Sequence, residues 1–184
     1  ADGFNTAVGC ESGKTMTTGV NNTLIGSLAG DALTTGSNNV AIGKEALSTE
    51  DANGTNTAVG HQSLSTLNAG SDAYNVALGY RSGAVMTTGV QNTLIGGLAG
   101  DALTTGSKNV ALGYQALTSE DAHGENVAIG HNSLSNLNAG ANGSNTALGF
   151  NSGYSMTTGT KNTIIGGLAG DALTTGSFNV ALGY

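Results

Sequence analysis

A five-residue pattern, Asn-(Thr/Val)-(Ala/Leu/Ile)-(Val/Ile/Leu)-Gly, constrains this chain more than any other feature, because it occurs eleven times. Successive copies are seventeen positions apart, except that every fourth step is nineteen, so a longer period of four copies overlies the first. Repeats built from helix pairs need about 33 residues or more, which excludes them here. The copies begin at Asn5, Asn22, Asn39, Asn56, Asn75, Asn92, Asn109, Asn126, Asn145, Asn162 and Asn179.

Each copy predicts a short β-strand, because aliphatic and β-branched residues alternate within it. We expect a second extended stretch later in the unit, as in residues 82–88, with glycine at the tight turns. Two short strands and two turns per unit predict an all-β fold, a parallel β-solenoid (β-roll or β-helix) of about 11 coils. Coils stacked at about 4.8 Å form a rod roughly 50 Å long.

The domain prediction follows from the same periods. Residues 1–184 are expected to form one repetitive segment, with super-repeats of four units at 5–74, 75–144 and, incompletely, 145–184. Solenoids need caps over their end coils. The sequence shows no recognisable cap, so we expect the segment to be a fragment of a longer fibre.

The alternation within the strand assigns its two faces. We expect Val40 and Ile42, or Thr57 and Val59, to face the interior of the coil, and the residue between them to face outward. That outward column is apolar at every level, which is typical of a packing surface, and we assign it to a trimer interface. The alternative is the inverted strand, with this column inside. The column is Ala7, Leu24, Ala41, Ala58, Ala77, Leu94, Ala111, Ala128, Ala147, Ile164 and Ala181.

Composition excludes several other classes. Only 9% of residues are charged, whereas disordered chains carry high net charge, and the 31 glycines follow no collagen-like G-X-Y period. A net charge of −7 with scattered cations disfavours nucleic acid as a partner, since phosphate binding requires clustered Lys and Arg. The sequence contains no apolar run of about 18 residues, so membrane insertion is not predicted.

Two segments carry a specific resemblance. Asn38–Gly43, Asn-Asn-Val-Ala-Ile-Gly, resembles the head repeat of trimeric autotransporter adhesins, in which such a strand lies along the trimer contact. Thr34–Gly43 is similar to the TTGSNN-x-x-IG repeats of phage tail-fibre proteins, and related bacterial surface proteins carry similar repeats. The resemblance covers essentially the whole chain, although the adhesin unit is shorter than the unit found here.

This resemblance implies an elongated homotrimer, intertwined or side by side, that spaces or presents a host-receptor-binding region. It places the protein in the virion, as part of a phage tail fibre, or on the bacterial surface as an adhesin. The partner would be a host cell-surface glycan or protein. We expect no cofactor.

Two motifs invite a ligand-binding interpretation. Gly9–Thr15, Gly-Cys-Glu-Ser-Gly-Lys-Thr, resembles the loop G-x-x-x-x-G-K-[ST] but is one residue short, and its counterparts at 79–85 and 149–155 lack the lysine, so we predict no nucleotide site. His61 and His131 share a coil position about 19 Å apart. Three copies of either could surround Zn or Ni on a threefold axis, which makes them weak metal candidates; a surface corner is the favoured interpretation.

Acidic residues also recur, as the column Asp31, Asp101 and Asp171 and as the pairs Glu50–Asp51 and Glu120–Asp121. Calcium-binding β-rolls use a GGxGxD-type nonapeptide, which is absent, so we expect these acids to confer solubility and cap turns. No Ser-His-Asp set or close carboxylate pair is recognisable, and no enzymatic activity is predicted.

The longer units contain extended polar loops, at 63–74 and 133–144. Loops on a rigid scaffold often carry binding function. Asp72, Tyr74 and Asn142 are therefore candidates for a glycan-contacting bulge, although a tolerated insertion is the favoured interpretation.

An ice-binding β-solenoid is the alternative function, because threonine pairs recur. The ranks are interrupted at Glu50–Asp51 and Glu120–Asp121, and adjacent residues of an extended segment point to opposite faces. We therefore favour the fibre. The pairs are Thr17–Thr18, Thr34–Thr35, Thr87–Thr88, Thr104–Thr105, Thr157–Thr158 and Thr174–Thr175.

Overall fold

The computed structural model describes residues 3–184, which form eleven three-residue strands and no helix. All eleven pair in sequence order in one parallel sheet. The predicted parallel β-solenoid, with one coil per sequence repeat, is confirmed; residues 1 and 2 of the expected segment lie outside the described residues. The strands are β1 (Thr6–Val8), β2 (Thr23–Ile25), β3 (Val40–Ile42), β4 (Thr57–Val59), β5 (Val76–Leu78), β6 (Thr93–Ile95), β7 (Val110–Leu112), β8 (Val127–Ile129), β9 (Thr146–Leu148), β10 (Thr163–Ile165) and β11 (Val180–Leu182).

Each coil, or rung, contains one strand, and the predicted second strand is wrong. Residues 82–88 form consecutive turns and a bend. In the first ten rungs, the residue six positions after the asparagine has a positive φ, as at Arg81 (53°), Leu98 (60°) and Gln115 (55°). Left-handed backbone of this kind reverses the chain locally and cannot continue an extended strand. The rung therefore closes through turns rather than through a second sheet.

The central residue of each strand faces the interior, so its assignment to an outward trimer interface is wrong. The nine members in β2–β10 are 0% exposed within a single chain and cannot contact another copy. Only the members in the end strands retain exposed surface, because one side of each lacks a covering rung. The corrected interior column is Ala7, Leu24, Ala41, Ala58, Ala77, Leu94, Ala111, Ala128, Ala147, Ile164 and Ala181. The residues that we expected inside, such as Val40 and Ile42, are only partly buried and lie on the outer face.

A ladder of buried asparagines runs beside this column. Asn92 Oδ1 accepts a hydrogen bond from the backbone N–H of Asn109 in the next rung (2.9 Å). Its Nδ2 donates to Gly106 O across the same rung (2.9 Å). The recurring asparagine thus joins each rung to the next and closes the coil on itself, which satisfies buried polar groups that would otherwise be costly.

Interior volume is shared between the strand centre and the residue six positions later. Leu24 faces Gly30, and a Cβ atom added to Gly30 would lie 2.8 Å from Leu24 Cδ2. Where the strand centre is alanine, as at Ala41, the later residue can be a fully buried leucine, Leu47. Because interiors are close-packed, a large residue at one position requires a small one at the other. This exchange of volume accounts for part of the four-unit super-repeat.

A glycine ends every strand and stacks on its counterparts. Gly43 has φ of 134°, a conformation that side chains disfavour. A Cβ atom on it would lie 2.5 Å from the carbonyl oxygen of Gly60 in the next rung. Glycine is therefore required at this corner by both backbone conformation and close approach.

Candidate functional site

The last residue of every strand forms an aliphatic column on the outer face of the sheet. Leu78 is 45% exposed and Leu112 42% exposed. Column neighbours are paired in adjacent strands, as Ile95 is with Leu112, so the apolar strip is continuous. Continuous exposed apolar surface of this extent usually marks an interface. This outer column is Val8, Ile25, Ile42, Val59, Leu78, Ile95, Leu112, Ile129, Leu148, Ile165 and Leu182.

Two residues beyond the outer column, six of the eleven rungs carry a ring, and these rings form the ring column: His61, Tyr80, Tyr114, His131, Phe150 and Tyr184. His61 stacks on Tyr80, with ring centroids 5.7 Å apart. His131 lies between Tyr114 and Phe150, 5.5 Å from each. The rung spacing of a parallel sheet brings such rings into stacking range, which is about 4.5–7 Å. The histidines lie at a surface corner, as expected, but the stacking of the rings along the rungs was not expected from the sequence.

The two histidines proposed as weak metal ligands are therefore occupied by ring stacking. Within residues 3–184, no group of three or more His, Cys, Asp or Glu side chains is placed to hold a metal ion. Nδ1 of His61 is buried without a hydrogen-bond partner. Within one chain, the arrangement supports a packed ring column.

Glu50 and Glu120 differ from the expected surface acids, because both are 0% exposed. They occupy the interior position that Met86 or Leu103 fills in other rungs. Burial raises the pKa of Glu50, against the opposing effect of Asn53 and of the backbone of Ala69. The glutamate of each acidic pair is thus a structural group of the interior.

Each buried glutamate lies in the rung before one of the longer rungs. Its carboxylate accepts hydrogen bonds from the loop of the longer rung or from a turn of its own rung. Glu120 Oε2 accepts a hydrogen bond from Ala139 N in the long rung (3.3 Å), and Oε1 accepts one from His123 N (3.3 Å). His123 Nδ1 also lies 3.4 Å from Glu120 Oε1. The carboxylate therefore supplies acceptors where the insertion interrupts the backbone ladder.

Two of the three residues proposed for a glycan-contacting bulge are used internally. Asp72 Oδ1 accepts a hydrogen bond from Gly54 N (3.1 Å), and Asn142 Oδ1 accepts one from Gly124 N (3.2 Å). Tyr74 is 58% exposed. The first two side chains anchor the inserted loop to the preceding rung, which favours the interpretation as an accommodated insertion.

The aspartate column is only partly buried at Asp31 and Asp101. Burial raises the pKa of both carboxyls, and at Asp101 the nearby Arg81 acts in the opposite direction. Column members lie four rungs apart, about 19 Å, so one chain cannot bring two of them to one calcium ion.

The segment Gly9–Thr15 forms turns with its backbone already engaged. Gly13 N donates to Ala29 O (3.0 Å), and Lys14 pairs with Glu11 at 3.1 Å. A phosphate-binding loop presents free backbone N–H groups and a free lysine. These contacts agree with the prediction of no nucleotide site.

Both members are exposed in four of the six threonine pairs, so the expectation that they face opposite sides is wrong. In the other two pairs the first threonine, Thr34 or Thr104, is partly buried. Thr87 and Thr88 are both exposed because they lie at a bend rather than in a strand. The hydroxyl of Thr87 donates to Thr104 O in the next rung (3.2 Å). The first threonine of the pair therefore contributes to the hydrogen bonding between rungs.

Among the described residues no helix is long and apolar enough to cross a membrane. No protein-family model, curated protein or solved structure matches this chain. The outer column and the ring column are consequently interpreted from their own geometry.

Proposed function

We propose that this chain is a structural segment of a homotrimeric fibre that spaces or presents a host-receptor-binding region. The fibre would belong to a phage tail, in the virion, or to an adhesin on the bacterial surface, and its partner would be a host glycan or protein. The observation that carries the proposal is the outer column, which is aliphatic in all eleven rungs.

The size of this strip suits an interface between copies. A strip about 50 Å tall and about 13 Å wide, across the outer column and the residues two positions to either side, covers roughly 650 Å² per chain. Each partner in a standard interface buries about 800 Å². Copies aligned in parallel around a threefold axis would place identical aliphatic residues at the same height, which makes the strip self-complementary.

The scaffold supports a rod-like role. Buried asparagines join each rung to the next, and one sheet runs through all eleven rungs. A solenoid in which each repeat contacts only its neighbours grows in one dimension. Such a rod separates its two ends at a fixed distance, as a spacer requires.

The test is the absolute mass of the chain by light scattering after size exclusion. We expect three times 18.0 kDa. The double variant Leu78→Glu and Leu112→Glu should be monomeric, because carboxylates on a threefold axis repel one another and resist burial. Thr88→Glu, an exposed control outside the strip, should remain trimeric, and circular dichroism should show unchanged folds. A monomeric or dimeric parent would overturn the trimer.

Ice binding is the second candidate, favoured by the exposure of both threonines in four of the six pairs. The ranks are interrupted one residue later than expected, at Asp51–Ala52 and Asp121–Ala122, which lie beside Thr34–Thr35 and Thr104–Thr105. This interruption, and the hydroxyls bonded to neighbouring rungs, weigh against ice binding. Thermal hysteresis in a solution of the purified chain would establish ice binding, and the absence of thermal hysteresis would exclude it.

A further inference from the structure

A small polar groove lies on the turns of the seventh, eighth and ninth rungs, beyond the ring column. In the seventh rung the chain turns at Gln115, where φ is 55°, passes through the buried residues Ala116 and Leu117, and returns to the surface at Thr118. The groove has a volume of about 160 Å³ and is lined by one ring, that of Tyr154, and by six polar side chains. The polar residues are Gln115, Thr118, Ser119, Asn132, Ser135 and Asn136.

Most of these polar groups are free to bind a ligand. Only two of the six side chains form a hydrogen bond within residues 3–184. Thr118 Oγ1 donates to Gln115 O (2.6 Å), and Asn136 Nδ2 donates to Tyr154 O (2.8 Å). The remaining two amides and two hydroxyls can each donate and accept hydrogen bonds. The groove therefore presents several mixed donor and acceptor groups side by side.

The same surface one super-repeat earlier is closed by its own hydrogen bonds. Its six polar side chains lie seventy positions earlier in the sequence, and all of them bond within the chain. Gln62 Nε2 donates to Glu45 Oε2 (2.7 Å), and Ser65 Oγ donates to Ala84 O (3.0 Å). The fold is thus compatible with a self-satisfied surface here, and the free groups of the later copy are not required by it. Backbone carbonyls also accept from the hydroxyls of Ser48, Thr49 and Thr66.

The ring at the ninth-rung end of the groove is the second difference between the two copies. Tyr154 replaces Ala84 of the first super-repeat and is 40% exposed. Its backbone is fixed on both sides, because Tyr154 N donates to Asn151 O (3.2 Å) and Tyr154 O accepts from Asn136. An apolar ring beside a few polar side chains is typical of small-molecule sites.

These properties select one kind of ligand. The lining carries no charge and the chain has a net charge of −7, which disfavours phosphates and carboxylates. Neighbouring groups that both donate and accept favour a ligand with several hydroxyl groups, and Tyr154 favours a ligand with an apolar face. The volume of 160 Å³ is about half that of the smallest usual sites for drug-sized ligands, about 300 Å³. The groove therefore suits a single ring.

We propose that this groove binds a neutral pyranose, as the terminal sugar of a glycan. The C–H groups of one ring face would pack on Tyr154, and the hydroxyl groups would exchange hydrogen bonds with Gln115, Ser119, Asn132 and Ser135. The strip assigned to the trimer interface ends at the ring column, so assembly leaves the groove open. The inference goes beyond the proposed function, because a segment that only spaces a binding tip needs no sugar site of its own.

The probes are the methyl glycosides of glucose, galactose, mannose and N-acetylglucosamine. Each is titrated against the whole chain and followed by saturation-transfer difference NMR. A single ring in a shallow groove should bind with a dissociation constant of about 1 mM. Saturation should be strongest on the C–H groups of one ring face, which would pack on Tyr154. Absence of saturable binding for all four glycosides would overturn the proposal.

The first deciding variant is Tyr154→Ala, which restores the residue type found at Ala84. Because the first super-repeat folds with alanine there, we expect an unchanged fold by circular dichroism and at least a tenfold loss of affinity. Phe178→Ala is the control, since it removes a ring that is 73% exposed and does not line the groove; its affinity should equal that of the parent. Equal affinity of Tyr154→Ala and the parent would overturn the site.

The second deciding variant tests the amides. Gln115→Glu combined with Asn132→Gln reproduces the hydrogen-bonded pair of Glu45 and Gln62, so it removes two free groups with an arrangement that the fold already contains. We expect at least a tenfold loss of affinity. Gln91→Glu adds the same charge at an exposed residue outside the groove and should leave the affinity unchanged. A double variant that binds like the parent would contradict the assigned contacts.

The outcome is separable from that of the proposed fibre. Light scattering on the same samples reports the assembly independently of sugar binding. A monomer that binds a glycoside and loses it in Tyr154→Ala keeps the site and removes the trimer. A trimer that binds none of the four glycosides keeps the fibre and removes the site.

Discussion

Asn92 Oδ1 lies 2.9 Å from the backbone nitrogen of Asn109, and this contact recurs along the ladder. The same side chain donates to Gly106 O at 2.9 Å. One asparagine therefore serves both the stacking of rungs and the closure of a rung. Its role can be separated from that of an exposed asparagine by substitution.

Asn92→Ala should lower the free energy of unfolding by about 3 kcal/mol, because it leaves a buried N–H and a buried carbonyl without partners. Urea denaturation measures this. Asn68→Ala is the control, since Asn68 is exposed and should change stability by less than about 0.5 kcal/mol. Equal effects of the two substitutions would show that the ladder contributes little.

The exchange of volume between strand centre and turn predicts a rescue. Leu94→Ala should destabilise by about 2–5 kcal/mol through a cavity. Gly100→Leu should destabilise by overpacking, because even a Cβ atom at Gly100 would lie 3.0 Å from Leu94 Cδ2. Together they recreate the arrangement of the fourth rung, with Ala58 and Leu64 buried.

The double variant should therefore lose less free energy of unfolding than the two single variants lose in sum. The difference should be about 1–3 kcal/mol, the range expected for coupled neighbours. Chemical denaturation of the four proteins completes the cycle. Strict additivity would mean that the two positions do not share one volume.

Glu50 predicts a pH dependence with a defined sign. Burial raises its pKa above the ordinary 4.5, so the folded state holds the proton more tightly than the unfolded state. Its contribution to stability is fully present below pH 4.5 and is lost as the pH rises through the folded pKa. Glu50→Gln should therefore stabilise the chain at pH 7 relative to the parent, with a smaller difference at pH 4.

Urea denaturation at both pH values checks this, with Asp171→Asn as an exposed control that should leave the pH profile close to that of the parent. A Glu50→Gln difference that stays constant with pH would contradict the role of the buried carboxyl.

A left-handed corner offers a gain in stability. Lys108 has φ of 61° and is exposed, and the matching residue in the first super-repeat is Asn38, also at 61°. Asparagine tolerates this conformation better than lysine. Lys108→Asn should raise the free energy of unfolding by up to about 1 kcal/mol, measured by thermal denaturation. Thr105→Asn, at an exposed residue without positive φ, should give no gain.

The solenoid was predictable because Asn39 through Gly43 recur at fixed spacing, but the orientation of the strand was not. Both faces are apolar, with Ala41 on one and Val40 and Ile42 on the other. The alternation of side chains along a strand shows that it has two faces, but it cannot show which of two apolar faces is buried. The pairing of large and small residues could have identified the interior side. A large strand centre such as Leu24 is always followed six positions later by glycine, and leucine occurs at that later position only where the centre is alanine, which implies shared interior space.

Other departures have local causes. Glu50 looks like a surface acid until it is aligned with Met16 and Leu33, which occupy the same rung position. The turns at residues 82–88 were predicted as a strand because Arg81 and its counterparts, although not glycine, have positive φ.

The parallel sheet also determines how the rod would respond to being pulled. Its strands lie across the long axis, so the bonds between rungs point along it and would open one rung at a time under tension. Each rung, such as the one from Thr6 to its partner Thr23, would release about 55–60 Å of extended chain while shortening the rod by about 4.8 Å. A single copy stretched from its ends would thus unravel progressively and absorb work.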